Sequence, residues 1–532
     1  MLLAAAAYHV VLDLGPGERL TGFFRPDLIY YSANARQIFE TGNGILYSDP
    51  YSASFSSPVI YSHLQLVLHA WVWRVTGISL PVVWQAAQIV FGALMFVALY
   101  RLVECFTARG GVRTLTYLVA AIGGGGAVLE ALARWLGSSG TSGLLWSYTL
   151  VTGSPRGGAW LPNVFQNALL STEAFYHALA FATFAAVLKR RFGWAALGIF
   201  LLWWSHPFTG LEVALIVGAF GLCEGILRKD RKSLGLALGT AILSALFLFY
   251  YLFLLPNVSP ESAEILRRWR GAAFLFRVTD AFSMWGVFLL WPAFLFFERF
   301  RLLALRTSAA DRFLAIWLVI VAALIVHDWF TPAGMRPFQP LHFSHGYLFL
   351  PMAILMVRGL ALATDRWPRP RLRAAAAVFL AFVALDNVFF TAATFASPEP
   401  RILSADATDI LDRLQANTEP GLVLIGDGIP LLREIIPVLT PHRVYIFNQW
   451  QTPWFEEKTA VARRIVSSPN PAQNLAQQGI RWVIGTREFV PIFRKDIRRR
   501  EARVAFRGDQ LGLVEILVPI TPQPPAPPSP EP

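Results

Sequence analysis

Apolar runs recur from residue 81 to residue 392, separated by short loops in which arginine collects. They read as spans over 81–104, 114–136, 172–188, 193–205, 208–227, 233–255, 281–298, 313–327, 343–358 and 374–392. A helix needs about 20 apolar residues to cross the hydrocarbon core. Most of these runs meet that length; 193–205 and 313–327 are short and must draw on neighbouring loop residues or on burial in protein. Residues 1–14, MLLAAAAYHVVLDL, lack the basic n-region of a well-formed signal peptide and read as part of a first membrane helix. The expected fold is therefore an α-helical polytopic membrane protein of about eleven transmembrane helices.

The loops set the expected orientation. Arg101 to Arg113, Lys189-Arg190-Arg191, Arg228 to Lys232, Arg299 to Arg312 and Arg358 to Arg373 are basic, which places them in the cytoplasm. The N-terminus is then inside. The segments 15–80, 137–171, 206–208, 256–280, 328–342 and everything after 393 are outside. Within the long first loop, 58–76 is apolar but carries His63, Gln65, His69 and Arg74. It predicts an interfacial helix ended by Gly77, because a crossing there would invert every later loop.

From Ser397 the pattern changes to short alternating elements. Residues 422–426, 443–447 and 481–485 predict strands, 429–439 and 456–466 helices, and 503–507 with 512–518 a closing hairpin. The expected domains are a membrane domain over 1–395, a small extracytoplasmic α/β domain over 396–518, and a disordered proline-rich tail over 519–532.

Composition agrees with the pattern. Apolar residues make up 55% of the 532 and charged residues only 15%, where a soluble protein has about a quarter. That excludes an ordinary soluble enzyme and a disordered chain. The net charge of +12 sits in the loops, so it is a topology signal and not a nucleic-acid footprint. Two cysteines, Cys105 and Cys223, exclude a disulfide framework or a thiolate cluster.

The first loop holds the first candidate chemistry. Asp27 follows Pro26, at a helix start, where it serves either as a cap or as a reacting acid. Helical spacing then puts Tyr31, Ala35 and Ile38 on one face, with Arg36 beside them and Gly42 as the break. Pro58, Tyr61 and the Thr76-Gly77 pair follow. This arrangement of acid, Tyr-Tyr helix, glycine break and amphipathic helix resembles the GT-C superfamily of integral membrane glycosyltransferases, of the dolichyl-phosphate-mannose and aminoarabinose transferase type. The likeness is strongest over residues 1–105 and looser over the remaining spans.

The resemblance implies a polyprenyl-phosphate-linked sugar donor and a lipid, glycan or protein acceptor, met at the outer face of a plasma (inner) membrane and serving the cell envelope. It implies hexosyl or pentosyl transfer with Asp27 as general base, as an acid that orients the acceptor, or as a ligand of a divalent metal such as Mg or Mn. No cofactor is otherwise indicated, and no metal ligand set is assigned. Attack on an anomeric carbon needs proton removal from a weak nucleophile, and a phosphate leaving group needs cationic support.

Many members of that superfamily carry a second acid in the next external loop, and 137–171 has no Asp or Glu. Glu173 and Glu212 are the substitutes. Glu173 shares a helix face with His177, as a metal or proton site or as a plain interhelical contact. Glu212 follows the His206-Pro207 turn, with His206 as its expected partner. Glu130 has Arg134 one turn on and reads as an ion pair. Asp49, in Asp49-Pro50, is a turn residue or a substrate contact. Arg267, Arg268 and Arg270 break the inside-positive trend, and Arg336 precedes His342 and His345 at a span entrance. These cations suit a lipid phosphate or ordinary headgroups. The 18 Trp, 14 Tyr and 41 Phe fit interfacial belts, with sugar stacking open for one or two. Competing readings are a transporter or flippase of a lipid-linked or polar substrate, and a noncatalytic scaffold presenting the C-terminal domain.

Overall fold

The computed structural model describes residues 14–23, 26–55, 57–137, 143–152, 161–271, 275–294, 308–331, 339–396 and 402–520, excluding the side chains of 26–27, 269–271, 294 and 395–396. Residues 1–13, most of the basic loop 299–312, and the tail from 521 lie outside the described residues.

Among the described residues, five helices are long and apolar enough to cross a bilayer: Leu80–Val103, Pro207–Arg228, Arg231–Val258, Pro340–Ala363 and Arg369–Thr394. A bent pair, Gly110–Ile122 with Ala127–Gly137, makes a sixth. The expected count of about eleven is not reached by that measure. Several runs form shorter helices, as in Phe192–Ser205 and Ala309–Ile325. Along Arg231–Val258, Leu238, Ile242, Leu246, Phe249 and Phe253 are all exposed. An apolar stripe of that length with no protein cover is a lipid-facing surface.

Two expected spans are broken. The run 114–136 bends by 49° between its halves. Its break, Gly123 to Gly126, lets another backbone come close: a Cβ on Gly125 would lie 2.2 Å from the Ser283 carbonyl oxygen. The intruding segment belongs to the run 281–298, whose described residues form short turns, Ala281–Trp285, Gly286–Leu290 and Trp291–Phe294. Asp386 accepts from the N–H groups of Gly125 (2.9 Å) and Val128 (3.1 Å), and Asn387 donates to the carbonyls of Ile122 (2.9 Å) and Gly123 (3.0 Å). Backbone groups freed at membrane depth must be satisfied within the protein, and these two side chains do it.

The basic loops gather at one end. Arg109 pairs with Asp365, Arg358 with Asp311, Arg312 with Glu224, and Arg190 with Asp230, at 2.5–2.9 Å. With Arg228, which also pairs with Glu224 at 3.2 Å, these contacts link all five loops into one face. Most are worth little individually at an exposed surface; Arg312–Glu224 is buried.

The first loop is built from the helix Pro26–Glu40, a turn region closed by the Tyr47–Tyr61 bridge, and the helix Leu64–Thr76. The last of these ends at Gly77 in a left-handed conformation, φ 69°. It exposes Leu68, Trp71, Val72 and Val75 on one stripe and buries Gln65 and His69, together with Leu66, Val67 and Ala70, on the other. An apolar stripe left open along one side is what an interfacial helix needs to rest against lipid.

Residues 402–520 carry a five-stranded sheet in the order Arg443–Val444, Leu422–Ile425, Ile480–Thr486, Leu511–Ile516, Ala502–Arg507. The first three strands are parallel and the last two pair antiparallel. Leu422–Ile425 is buried on both faces, hence its unbroken apolar run. Val423 and Ile425 face one core, Leu422 and Leu424 another. The first of these cores also contains Ile29, Ala33 and Ile38 of the first loop. Arg19–Leu20 adds an antiparallel pairing with Ile402–Leu403. First loop and sheet thus share one hydrophobic core.

Candidate functional site

Ser171–Leu188 packs against Leu80–Val103 and Phe192–Ser205 and is buried on nearly all sides. It delivers Glu173, Tyr176 and His177 within its first two turns. Gln65 and Gln88 fix its entrance by donating to the carbonyls of Ser171 (3.1 Å) and Leu169 (2.9 Å). Beside it, the turn Pro340–Ser344 presents His342 and then His345, and Gly346 (φ 77°) brings the backbone against Val164 and Asn163.

Glu173 lies at the centre. Its carboxylate is 3.4 Å from His345 Nδ1 and 4.0 Å from His177 Nδ1. His177 in turn holds both ring nitrogens against carbonyl oxygens, of Glu173 (2.7 Å) and His345 (2.5 Å). His342 stands 5.6 Å from His345 and 6.3 Å from His206, ring centre to ring centre. His206 caps Pro207–Arg228 through Thr209, 2.8 Å from its hydroxyl, and stacks on Tyr176 at 4.7 Å. The Tyr176 hydroxyl meets His63 Nε2 at 3.0 Å, and the His63 ring lies 6.1 Å from Tyr31. Burial, helped by His206 and His69, pushes the His63 imidazole down to about 3, so it is neutral at ordinary pH.

A chain of titratable rings thus runs from the first-loop helix to a buried carboxylate. It brings together six residues singled out in the sequence: Tyr31, Glu173, His177, His206, His342 and His345. The i,i+4 spacing of Glu173 and His177 was visible in the sequence. His63, Tyr176 and Tyr347, which stacks on His177 at 4.6 Å, were not marked as site residues. Nothing local announces them, because their partners lie far away along the chain. Asp27 is the second residue of Pro26–Glu40, four before Tyr31, with its side chain outside the described residues.

The expected Glu212–His206 pairing does not form. His206 is engaged with Thr209 and Tyr176. Glu212 is fully buried, and neither carboxyl oxygen has a hydrogen-bond partner among the described residues. The physical reason is direction: His206 turns back to cap its own helix. Glu130 does pair with Arg134, at 2.6 Å.

Other expected site residues meet elsewhere, where the first loop, the helix Pro260–Gly271 and the sheet join. Arg36 pairs with Glu40 and donates to the Val438 carbonyl at 2.8 Å. Arg268 donates to the carbonyls of Gln449 and Thr452 and pairs with Glu264 at 2.5 Å. Asp49 is buried and accepts from the Tyr51 N–H at 2.9 Å. Burial pushes its carboxyl up to about 7, against the pull of that hydrogen bond and of Arg443 and Lys458. Arg267 is exposed and lies 3.8 Å from Glu264. Arg270, beyond its backbone, and Arg336 lie outside the described residues. Among the described residues no three His, Cys, Asp or Glu side chains converge as a metal-holding group.

No family model and no curated protein matches the sequence. Solved structures do match. The arabinofuranosyltransferase AftD from Mycobacteria is similar at a TM-score of 0.50 and 14% identity, over 97% of this chain and 40% of that one. The chain therefore spans less than half the length of AftD. The archaeal oligosaccharyltransferase AglB from Archaeoglobus fulgidus, solved with an inhibitory peptide and a dolichol-phosphate, matches at 0.45 and 14% identity, over 92% and 69%. The likeness to AftD is one of fold.

Proposed function

We propose that the protein is a GT-C glycosyltransferase that moves a sugar from a polyprenyl-phosphate-linked donor to a lipid, glycan or protein acceptor. The observation that carries this reading is the buried constellation of Glu173 with His177, His206, His342 and His345, reached through Tyr176 and His63 from the helix that bears Asp27. It lies at the end of the bundle opposite the basic loops. On this reading those loops are cytoplasmic, the sheet domain is extracytoplasmic, and the membrane is the plasma (inner) membrane.

The acceptor oxygen forms a bond to the anomeric carbon as the bond from that carbon to the phosphate oxygen breaks. The phosphate leaves with the electron pair on its lipid carrier, and the acceptor proton goes to a carboxylate, Asp27 by the family resemblance. Ring N–H groups of the histidines around Glu173 can face the departing negative charge. A divalent metal such as Mg or Mn, if held at Asp27, would offset the charge of the donor phosphate. Movement of a lipid-linked substrate is the second reading, favoured by the two broken segments that cross at Gly123 to Gly126. Their backbone groups are satisfied by Asp386 and Asn387, as a structural crossing requires.

Lipid mass spectrometry on cells lacking the protein, complemented with wild type, Asp27→Asn or Glu173→Gln, tests the proposal. A glycosylated polyprenyl phosphate should accumulate in the null and with both variants, and fall with wild type. Identical lipid profiles, with the variants present at wild-type levels, would sink it.

A further inference from the structure

The sheet domain reaches into the first loop with one side chain. Arg443 opens the edge strand Arg443–Val444 and is 1% exposed. Its guanidinium donates to the Ser54 carbonyl (2.6 Å), the Ser52 carbonyl (3.5 Å), the Ser48 hydroxyl (2.9 Å) and Gln37 Oε1 (3.3 Å), and lies 4.9 Å over the Phe55 ring. Gln37 belongs to Pro26–Glu40, the helix with Asp27 and Tyr31. Ser48, Ser52 and Ser54 bracket the turn that holds Asp49. Arg36 of the same helix reaches the other way, to the Val438 carbonyl of the sheet domain. Ser52 and Ser57 also donate to Glu261, at 2.6 and 2.9 Å, which ties the turn to Pro260–Gly271.

A buried arginine is costly unless its donors are used, and here one fork fixes two separate first-loop segments at once. Resting on the function proposed above, we propose that Arg443 is a positioning residue. It sets the first-loop helix and the 48–54 turn over the Glu173 and histidine constellation, which makes the C-terminal domain a required part of the transferase site. Arg443 touches neither Glu173 nor the histidines, so its loss displaces the acceptor-side helix and leaves the donor side in place.

The test uses the purified full-length protein with Arg443→Ala and Arg443→Lys. It measures kcat and donor KM for release of polyprenyl phosphate, amide hydrogen exchange over 45–57 and 171–188, and rescue by free guanidinium. Displacement of a reacting group by about 1 Å costs about 100-fold in rate. The expected result is a kcat loss of that order in Arg443→Ala with donor KM within about 2-fold of wild type. Exchange should be faster over 45–57 and unchanged over 171–188, and guanidinium should restore both kcat and protection. Arg443→Lys keeps the charge but cannot reach Gln37, Ser48 and Ser54 together. It should show the same defect without rescue, and it carries the test if the alanine variant fails to fold.

Wild-type kcat per folded molecule, or unchanged exchange over 45–57, overturns the proposal. If wild type releases lipid phosphate from no polyprenyl donor, the transferase reading falls by itself. The exchange and rescue arms then still uphold or overturn the tether.

Discussion

At the scale of single residues, spacing within one helix was readable and partnership across the chain was not. Glu173 and His177 sit four apart, and His342 and His345 three apart, so each pair was visible. Their convergence with His206 and Tyr176 depends on three different spans meeting. Arg443 was read only as the start of a strand; a lone charge opening the apolar run Val444 to Phe447 was the available signal. Asp49 offers a test independent of activity. Its folded-state carboxyl titrates at about 7 against an ordinary 3.8, so the folded protein holds that proton more tightly than the unfolded chain. Its contribution to stability is full below about pH 4, falls as pH rises and is lost above about pH 7. The unfolding midpoint should therefore drop between about pH 4 and pH 7. Asp49→Asn, neutral throughout and still able to accept from the Tyr51 N–H, should narrow that drop. An equal drop in both proteins would show that Asp49 is not its source.

Elements were legible wherever a single period ruled. Hydropathy located Leu80–Val103 and Pro207–Arg228 to within a residue or two of their ends, and the strand Leu422–Ile425 lies within the expected 422–426. It missed breaks, because four glycines leave mean hydropathy nearly untouched while allowing a bend of 49°. A run of four glycines was the signal to follow. The crossing there has sharp consequences for substitution. In Asp386→Ala the N–H groups of Gly125 and Val128 lose their acceptor, a cost on the order of 3 kcal/mol. Asp386→Asn keeps one acceptor oxygen and should lose less. Gly125→Ala pushes a methyl into the backbone of Ser283 and Met284, 2.2 and 2.4 Å away, where no side chain can yield. Thermal unfolding in detergent should rank wild type above Asp386→Asn, Asp386→Ala below that, and Gly125→Ala lowest. A Gly125→Ala protein as stable as wild type would mean that the two segments do not cross this closely.

For the whole molecule, charge picked out loops that meet at one end of the bundle. The five loops picked out by their arginines are joined to one another by ion pairs at one end, although their partners, Asp365, Asp311, Glu224 and Asp230, had no role in choosing them. What composition could not show is that residues 15–80 and 402–520 share a core. Each looked self-contained because each has its own turns and its own amphipathic helices. In the structure Ile29, Ala33 and Ile38 pack with Ile410, Ile435 and Leu513 in one cluster. Burying each large aliphatic side chain is worth about 1.5–3 kcal/mol, so neither half is stable with that face open. A chain ending at residue 396 should still insert, because its bundle core is separate from this cluster. Its first loop should lose its fold, and limited proteolysis should cut within 41–57 at a dose that leaves the full-length protein intact. Equal resistance in the two proteins would show that the bundle alone holds the first loop. The sheet domain would then be an appendage, and the long reach of Arg443 would have no bearing on the helix that carries Asp27.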